Sequence, residues 1–113
     1  MKIVKNNQSV TFQNGPTCMA YEYPMEDRDI NGSLVELSGR YPIEGQVINE
    51  KCKEMSFVIE GNGKLVVEGI EYLLSAGDLV LVNPNEKYYW EGNLKLFIPC
   101  TPAWFPGQHK VVK

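Results

Sequence analysis

The sequence predicts an all-β protein, a small barrel or sandwich with almost no helix. Three observations carry this. Short runs rich in β-branched and aromatic residues recur at even spacing. Gly, Pro, Asn and Asp punctuate them, as turns between strands require. No window sustains the 3.6-residue apolar period of an amphipathic helix. Evenly spaced short strands of this kind build sandwiches and barrels.

In chain order, Val10–Gln13 is the first expected strand, closed by Asn14-Gly15-Pro16. Cys18–Tyr23 is the second, stopped by Pro24, and the polar run Met25–Gly32 reads as a loop. Ser33–Ser38 follows, with Gly39 and Pro42 ending it, and Gln46–Asn49 is a short strand. Met55–Ile59 and Lys64–Val67 flank Gly61-Asn62-Gly63, a hairpin signal because Asn and Gly tolerate positive φ. Glu71–Leu74 comes after a turn at Glu68-Gly69. Leu79–Val82, Lys87–Trp90 and Leu94–Cys100 complete the set. Pro102 and Pro106 keep the tail Thr101–His109 out of a regular central strand. Trp104 and Phe105 are expected to pack back on the barrel or on a partner.

A chain of 113 residues is expected to form one domain, 1–113. That length suffices for one buried core without covalent staples. The net charge of −3 argues against a nucleic-acid partner, which wants a basic face. The N-terminal residues lack the apolar run of a secretory signal, and no segment nears the roughly 20 apolar residues that span a bilayer. A cytoplasmic location without a membrane partner is the default expectation. Cys18, Cys52 and Cys100 form an odd set with no Cys-x-x-Cys, so three reduced thiols packed as small hydrophobes are expected, not a disulfide framework or a zinc site.

One stretch is more specific than the rest. Ala76–Tyr88 reads Ala-Gly-Asp-Leu-Val-Leu-Val-Asn-Pro-Asn-Glu-Lys-Tyr, which resembles the second signature of the cupins. That signature runs Gly, five residues, Pro, one residue, Gly, two residues, His. Gly77 and Asp78 match, Pro84 falls one place late, Asn85 replaces the second Gly, and Tyr88 replaces the His. Glu54 and Gly61 have the Glu, six residues, Gly spacing that ends the first signature. Neither Val47 with Asn49 nor Ile48 with Glu50 supplies its His-x-His. Gly39-Arg40-Tyr41-Pro42 and Thr101-Pro102-Ala103-Trp104 look like segments of small single-domain cupins without an assigned activity. The resemblance covers roughly residues 34–104 and implies a double-stranded β-helix, a jelly-roll-like barrel. It also implies that the usual metal is missing with its histidines, so no metal and no other cofactor are expected. Edge strands of such a barrel tend to be covered, and a homodimer is expected, with Val10–Gln13, Trp104 and Phe105 on the partner's surface.

The candidate ligand-binding residues are Asn49, Glu54, Tyr88 and Trp90. Glu54 stands where the resembled family places an inward metal ligand. Without metal it needs a hydrogen-bond partner or a proton. Its alternative is a pair with Arg40 or a Lys at the barrel mouth. Tyr88 and Trp90 share one face of a strand, two residues apart. They suit a sugar ring or other flat ligand, or they fill the space that the metal site vacates. The leading reading is a metal-independent cupin that binds a polar or sugar-like small molecule. The alternatives are a metal-free sugar isomerase or epimerase using Glu54 and Tyr88 as acid and base, and a structural or dimerisation module with a filled barrel. Two other features read as bland. Asp27–Gly32 mimics the start of a calcium loop, but Ser38 stands where the twelfth-position Glu belongs. His109, the only histidine, reads as a surface residue of the tail.

Overall fold

The computed structural model describes residues 1–113. Nine strands are present: β1 Val10–Gln13, β2 Cys18–Tyr23, β3 Asn31–Tyr41, β4 Gln46–Asn49, β5 Lys53–Val67, β6 Ile70–Ser75, β7 Leu79–Val82, β8 Tyr88–Thr101 and β9 His109–Val112. The only helical segments are single 3-10 turns at Asn6–Gln8 and Pro106–Gln108. Every pairing is antiparallel. One path runs β1-β2-β3-β8-β4-β9, while β5 pairs with β8 and carries β6 and β7. The sheet curls on itself into the expected all-β barrel. No helix is long and apolar enough to cross a membrane.

Two expected breaks are absent. The hairpin at Gly61-Asn62-Gly63 does not form, because β5 runs unbroken through it. The segments Lys87–Trp90 and Leu94–Cys100 likewise join as β8, through Glu91-Gly92-Asn93. The glycines bend these strands instead of reversing them. Gly39, Gly92 and Gly63 are direct partners across β3, β8 and β5. A Cβ on Gly92 would stand 2.5 Å from the Gly63 Cα. Only residues without side chains let the β8 and β5 backbones pass this closely, while at Gly39 a Cβ would meet the Thr17 side chain at 2.7 Å, and the row lets the sheet turn a sharp corner. A register shift between Val58 and Glu60 adds a bulge on β5, which further raises local twist. β3 runs past Gly39 to Tyr41 for the same reason. The tail Thr101–His109 carries no strand between its two end residues, as Pro102 and Pro106 require, and a strand that was not expected, β9, follows from His109.

Alternation along the strands then sorts the side chains. Val58 on β5, Leu65 further along it, Val82 on β7, and Leu94, Leu96 and Ile98 on β8 point inward and form the core. Their neighbours Met55, Phe57, Leu79, Leu81 and Phe97 point outward and are exposed. Met55 pairs with Leu81, and Phe57 pairs with both Leu79 and Phe97, so the five make one apolar stripe across three strands. Arg40 lies outside the barrel, with its guanidinium 3.8 Å from the Tyr89 ring centre and hydrogen bonds to the carbonyls of Pro42 and Gly45.

Substitutions at two glycines separate close approach from backbone strain. Gly61 has φ +99 and a Cβ there would meet the Asn93 carbonyl oxygen at 2.0 Å. Gly69 has φ +79 with nothing within 4 Å. Gly69→Ala is therefore expected to cost only the strain, about 1–2 kcal/mol. Gly61→Ala adds the steric conflict and is expected to cost at least about twice as much, read as the difference in denaturant midpoint at unchanged slope.

Candidate functional site

The barrel encloses an open cavity of about 450 Å³. Twelve of its 19 lining residues are hydrophobic, so the wall suits a ring face. Trp90, Val35 and Leu37 belong to that wall. The cavity rules out a barrel completely filled by Tyr88 and Trp90. Its polar end is built by three separated pieces of chain: β4, the start of β5 with β8 beside it, and the tail from Pro106 onward.

Asn49 ends β4 and is 1 % exposed. Its Nδ2 donates to Glu54 Oε1 and to the Tyr88 hydroxyl, the latter at 3.1 Å. Its Oδ1 accepts from Gln108 Nε2 at 2.9 Å and meets His109 Nδ1 at 2.8 Å. Gln108, 1 % exposed, accepts at Oε1 from the backbone N–H groups of Lys51 and Cys52 at 3.2 and 3.1 Å. The other ring nitrogen of His109, Nε2, lies 2.9 Å from the Tyr41 hydroxyl. Tyr88 donates a long bond to Glu54 Oε1, 3.4 Å. No buried side-chain nitrogen or oxygen lacks a partner. Glu54 Oε2 has no protein partner, so it is not sealed off, and Glu54 lines the cavity together with Tyr41, Tyr88 and His109.

This geometry places the sequence candidates differently from one another. Glu54, Tyr88 and Trp90 all line the cavity. Asn49 does not; it sits behind them and holds them, which corrects its reading as a ligand contact. Glu54 pairs with neither Arg40 nor a lysine, because Arg40 is engaged outside the barrel. His109 is not a surface residue of the tail. It is half-buried at the cavity, tilted against Trp104 at 5.7 Å between ring centres. The reason is the pairing of β9 with β4, which sets His109 opposite Asn49. Tyr41 and Gln108 were not singled out as site residues. Tyr41 stands in the quoted Gly39–Pro42 segment, and that was its only signal. Gln108 has none, since its role depends on backbone donors 56 and 57 residues away. Trp104 packs back as expected, whereas Phe105 is exposed.

Burial sets the protonation of the site. It raises the Glu54 carboxyl above the usual carboxylate range, against the hydrogen bonds from Asn49 and Tyr88 that lower it. Burial lowers the His109 imidazole and so favours its neutral form. Burial, helped by the Glu54 charge, pushes the Tyr88 phenol up, and the Tyr41 phenol goes up to about 12. The three cysteines are free and buried, and burial pushes the Cys18 thiol up to about 11. They are unreactive packing groups in this state.

The donor set does not fit a transition metal. The structure gathers no group of three His, Cys, Asp or Glu side chains. Near Glu54 stand an amide already fully used and a phenol with a raised pKa, and the one imidazole turns Nδ1 to Asn49 and Nε2 to Tyr41.

The fold and the signature residues define the class. A family model described as a cupin domain matches residues 39–96, half of the chain, and the chain belongs to the cupin family. A search of curated proteins finds no match to its sequence. Among solved structures it is similar to Pac13, a nucleoside dehydratase, with a TM-score of 0.90 at 17 % identity, over 100 % of this chain and 92 % of that one. A Streptomyces PAC13 variant with uridine gives 0.86 at 18 % identity, over 98 % and 90 %. An RmlC-like cupin from Shewanella frigidimarina gives 0.72 at 19 %, over 88 % of each chain. At these identities the likeness shows a shared fold.

The raised Glu54 carboxyl has a consequence for stability. A carboxyl whose folded pKa lies above its unfolded value binds its proton more tightly when folded. Stability therefore falls as pH rises from the unfolded value, about 4.3, through the folded one, and stays low above it. Glu54→Gln keeps the shape and removes the titration. The variant is expected to melt higher than the parent at pH 7–8, by roughly 4 °C per kcal/mol relieved, with the gap closing near pH 4. A thermal melt series across pH reads this directly; a gap that is constant with pH would contradict it.

Proposed function

We propose that this protein binds a polar, hydroxylated ring compound in the barrel cavity and carries out proton-transfer chemistry on it without a metal. The single observation that carries this is the pairing of a carboxyl and a neutral imidazole at one end of an apolar-walled cavity, both held by the buried Asn49. Burial raises the Glu54 carboxyl and so favours its proton-bearing form, which can give a proton up, while burial favours the neutral His109 imidazole, which can take one. Removal of a proton from carbon at one point and protonation of a carbonyl or departing hydroxyl at another is the chemistry of isomerisation and of dehydration. The nucleoside dehydratase of the same fold, with variants studied with uridine, supports a ring of nucleoside or sugar type. His109 takes the base role that the sequence alone assigned within the Glu54–Tyr88 pair.

The test is a ligand screen by calorimetry and thermal shift with nucleosides, sugars and their aldehyde or keto forms. At least one class is expected to bind. Glu54→Gln and Tyr41→Phe are expected to weaken that binding by about 1–3 kcal/mol, the usual cost of a buried polar partner left unmatched. Equal binding by parent and both variants would remove the site from the function.

We also propose a homodimer, built on the exposed stripe Met55, Phe57, Leu79, Leu81 and Phe97 instead of on the N-terminal strand. A contiguous apolar stripe on a sheet face is a contact surface more often than a solvated one, and a two-fold axis would match it with itself. Light scattering of the parent should read twice 12.8 kDa, and Phe57→Lys, which sets like charges across the axis, should read 12.8 kDa. A parent that remains monomeric at tens of micromolar would rule this out.

A further inference from the structure

We propose that Gln108 determines which nitrogen of His109 is basic, and so makes Nε2, acting through the Tyr41 hydroxyl, the proton acceptor of the cavity. The consequence for catalysis rests on the reading of the cavity as a reaction site, whereas the assignment of the proton needs no ligand.

The argument is a chain of donors and acceptors with one solution. Backbone N–H groups only donate. Those of Lys51 and Cys52 converge on one side-chain atom of Gln108, which is therefore its oxygen. The Gln108 amide nitrogen, also only a donor, then faces Asn49 at 2.9 Å, so the Asn49 atom there is Oδ1. This turns the Asn49 nitrogen toward Glu54 and the Tyr88 hydroxyl, both of which accept. The same Oδ1 lies 2.8 Å from His109 Nδ1. A carbonyl oxygen cannot donate, so Nδ1 carries the hydrogen. A neutral imidazole has one such hydrogen, which leaves Nε2 bare. The Tyr41 hydroxyl, 2.9 Å away, donates to it. Turning over the Gln108 or Asn49 amide on its own would set donors against donors. The connection between β4 and β5 thus fixes a proton on β9 through two side chains that do not line the cavity. Gln108 and Asn49 are positioning residues; Tyr41 and His109 line the cavity.

The arrangement permits a two-proton relay. The Tyr41 oxygen takes a proton from a substrate C–H or O–H while its own proton passes to Nε2, and the bonding pair stays on the substrate. The products are a neutral phenol, an imidazolium whose Nδ1–H still meets Asn49, and the substrate anion, which a protonated Glu54 quenches. No free phenolate forms, which matters because burial holds the Tyr41 phenol at about 12.

His109 is the only histidine, so its ring nitrogens give one assignable pair of ¹⁵N resonances. Spectra are taken on ligand-free protein at about pH 9, above the ordinary histidine value, which burial lowers further for His109. In the parent, Nδ1 is expected at the protonated position and Nε2 at the bare one. The double variant Gln108→Glu with Glu54→Gln keeps an acceptor for the two backbone N–H groups, removes the donor that faces Asn49 on one side and allows a donor to face it on the other. The Asn49 amide then turns over, its nitrogen faces Nδ1, and the two resonances are expected to exchange. Asn49→Asp offers His109 only acceptors and is expected to keep the parent pattern. If the double variant does not fold, the parent and Asn49→Asp spectra decide. A parent protonated at Nε2, a folded double variant with the parent pattern, or Asn49→Asp with exchanged resonances overturns the proposal. Absence of any ligand in the screen instead overturns the function while leaving the tautomer assignment standing.

Discussion

The barrel depends on β5 and β8 remaining paired while both turn a corner. They are the two longest strands, 15 and 14 residues, and together they hydrogen-bond to β3, β4, β6 and β7. A regular pair of that length twists steadily but does not fold over. The glycine row Gly39-Gly92-Gly63 removes the side chains at the inside of the bend, and the bulge beside Val58 takes up the difference in path length. Pairing is kept on both sides of the corner, so the ladder hydrogen bonds survive it. The inward residues on the two arms then face each other. They bring Glu54 near the start of β5 and Tyr88 at the start of β8 to the same cavity end, although 34 residues separate them.

Within that frame one amide coordinates the polar end. Asn49 has two donors and two acceptor positions, and each is used by a different residue, Glu54 on β5, Tyr88 on β8, and Gln108 and His109 in the tail. A buried amide so fully occupied adds specificity more than net stability, since its bonds replace bonds to water. Its value lies in direction. Each of its four contacts fixes the angle of a side chain that lines the cavity or controls one that does.

The sequence made the strands legible where short runs rich in apolar, β-branched or aromatic residues lie between turn residues, as in β2, β4 and β7, whose limits match the expected ones. It misled at Gly61-Asn62-Gly63 and Glu91-Gly92-Asn93, because positive-φ residues serve reversals and bends equally well. Only the presence of a partner strand on both sides separates the two uses. The site was half legible. Glu54 and Tyr88 occupy signature positions, and Trp90 follows from alternation. His109 and Gln108 could not be read this way. Their place depends on β9 returning to pair with β4, a contact between residues 46–49 and 109–112 that no local pattern encodes.

That return has a dynamic consequence. β9 is an edge strand of four residues, paired on one side only, and it lies at the end of the sheet path. Short, singly paired edges open more readily than the centre of a sheet. Gln108 and His109 travel with it, whereas Glu54, Tyr88 and Trp90 belong to the deeply paired strands. Fraying of β9 would therefore withdraw the His109 imidazole and its orienting amide together and leave the barrel folded with Glu54, Tyr88 and Trp90 in place. Hydrogen exchange at the amides of Lys110, Val111 and Val112, compared with that in the middle of β8, measures how often the molecule visits this opened state, in which one wall of the cavity is missing.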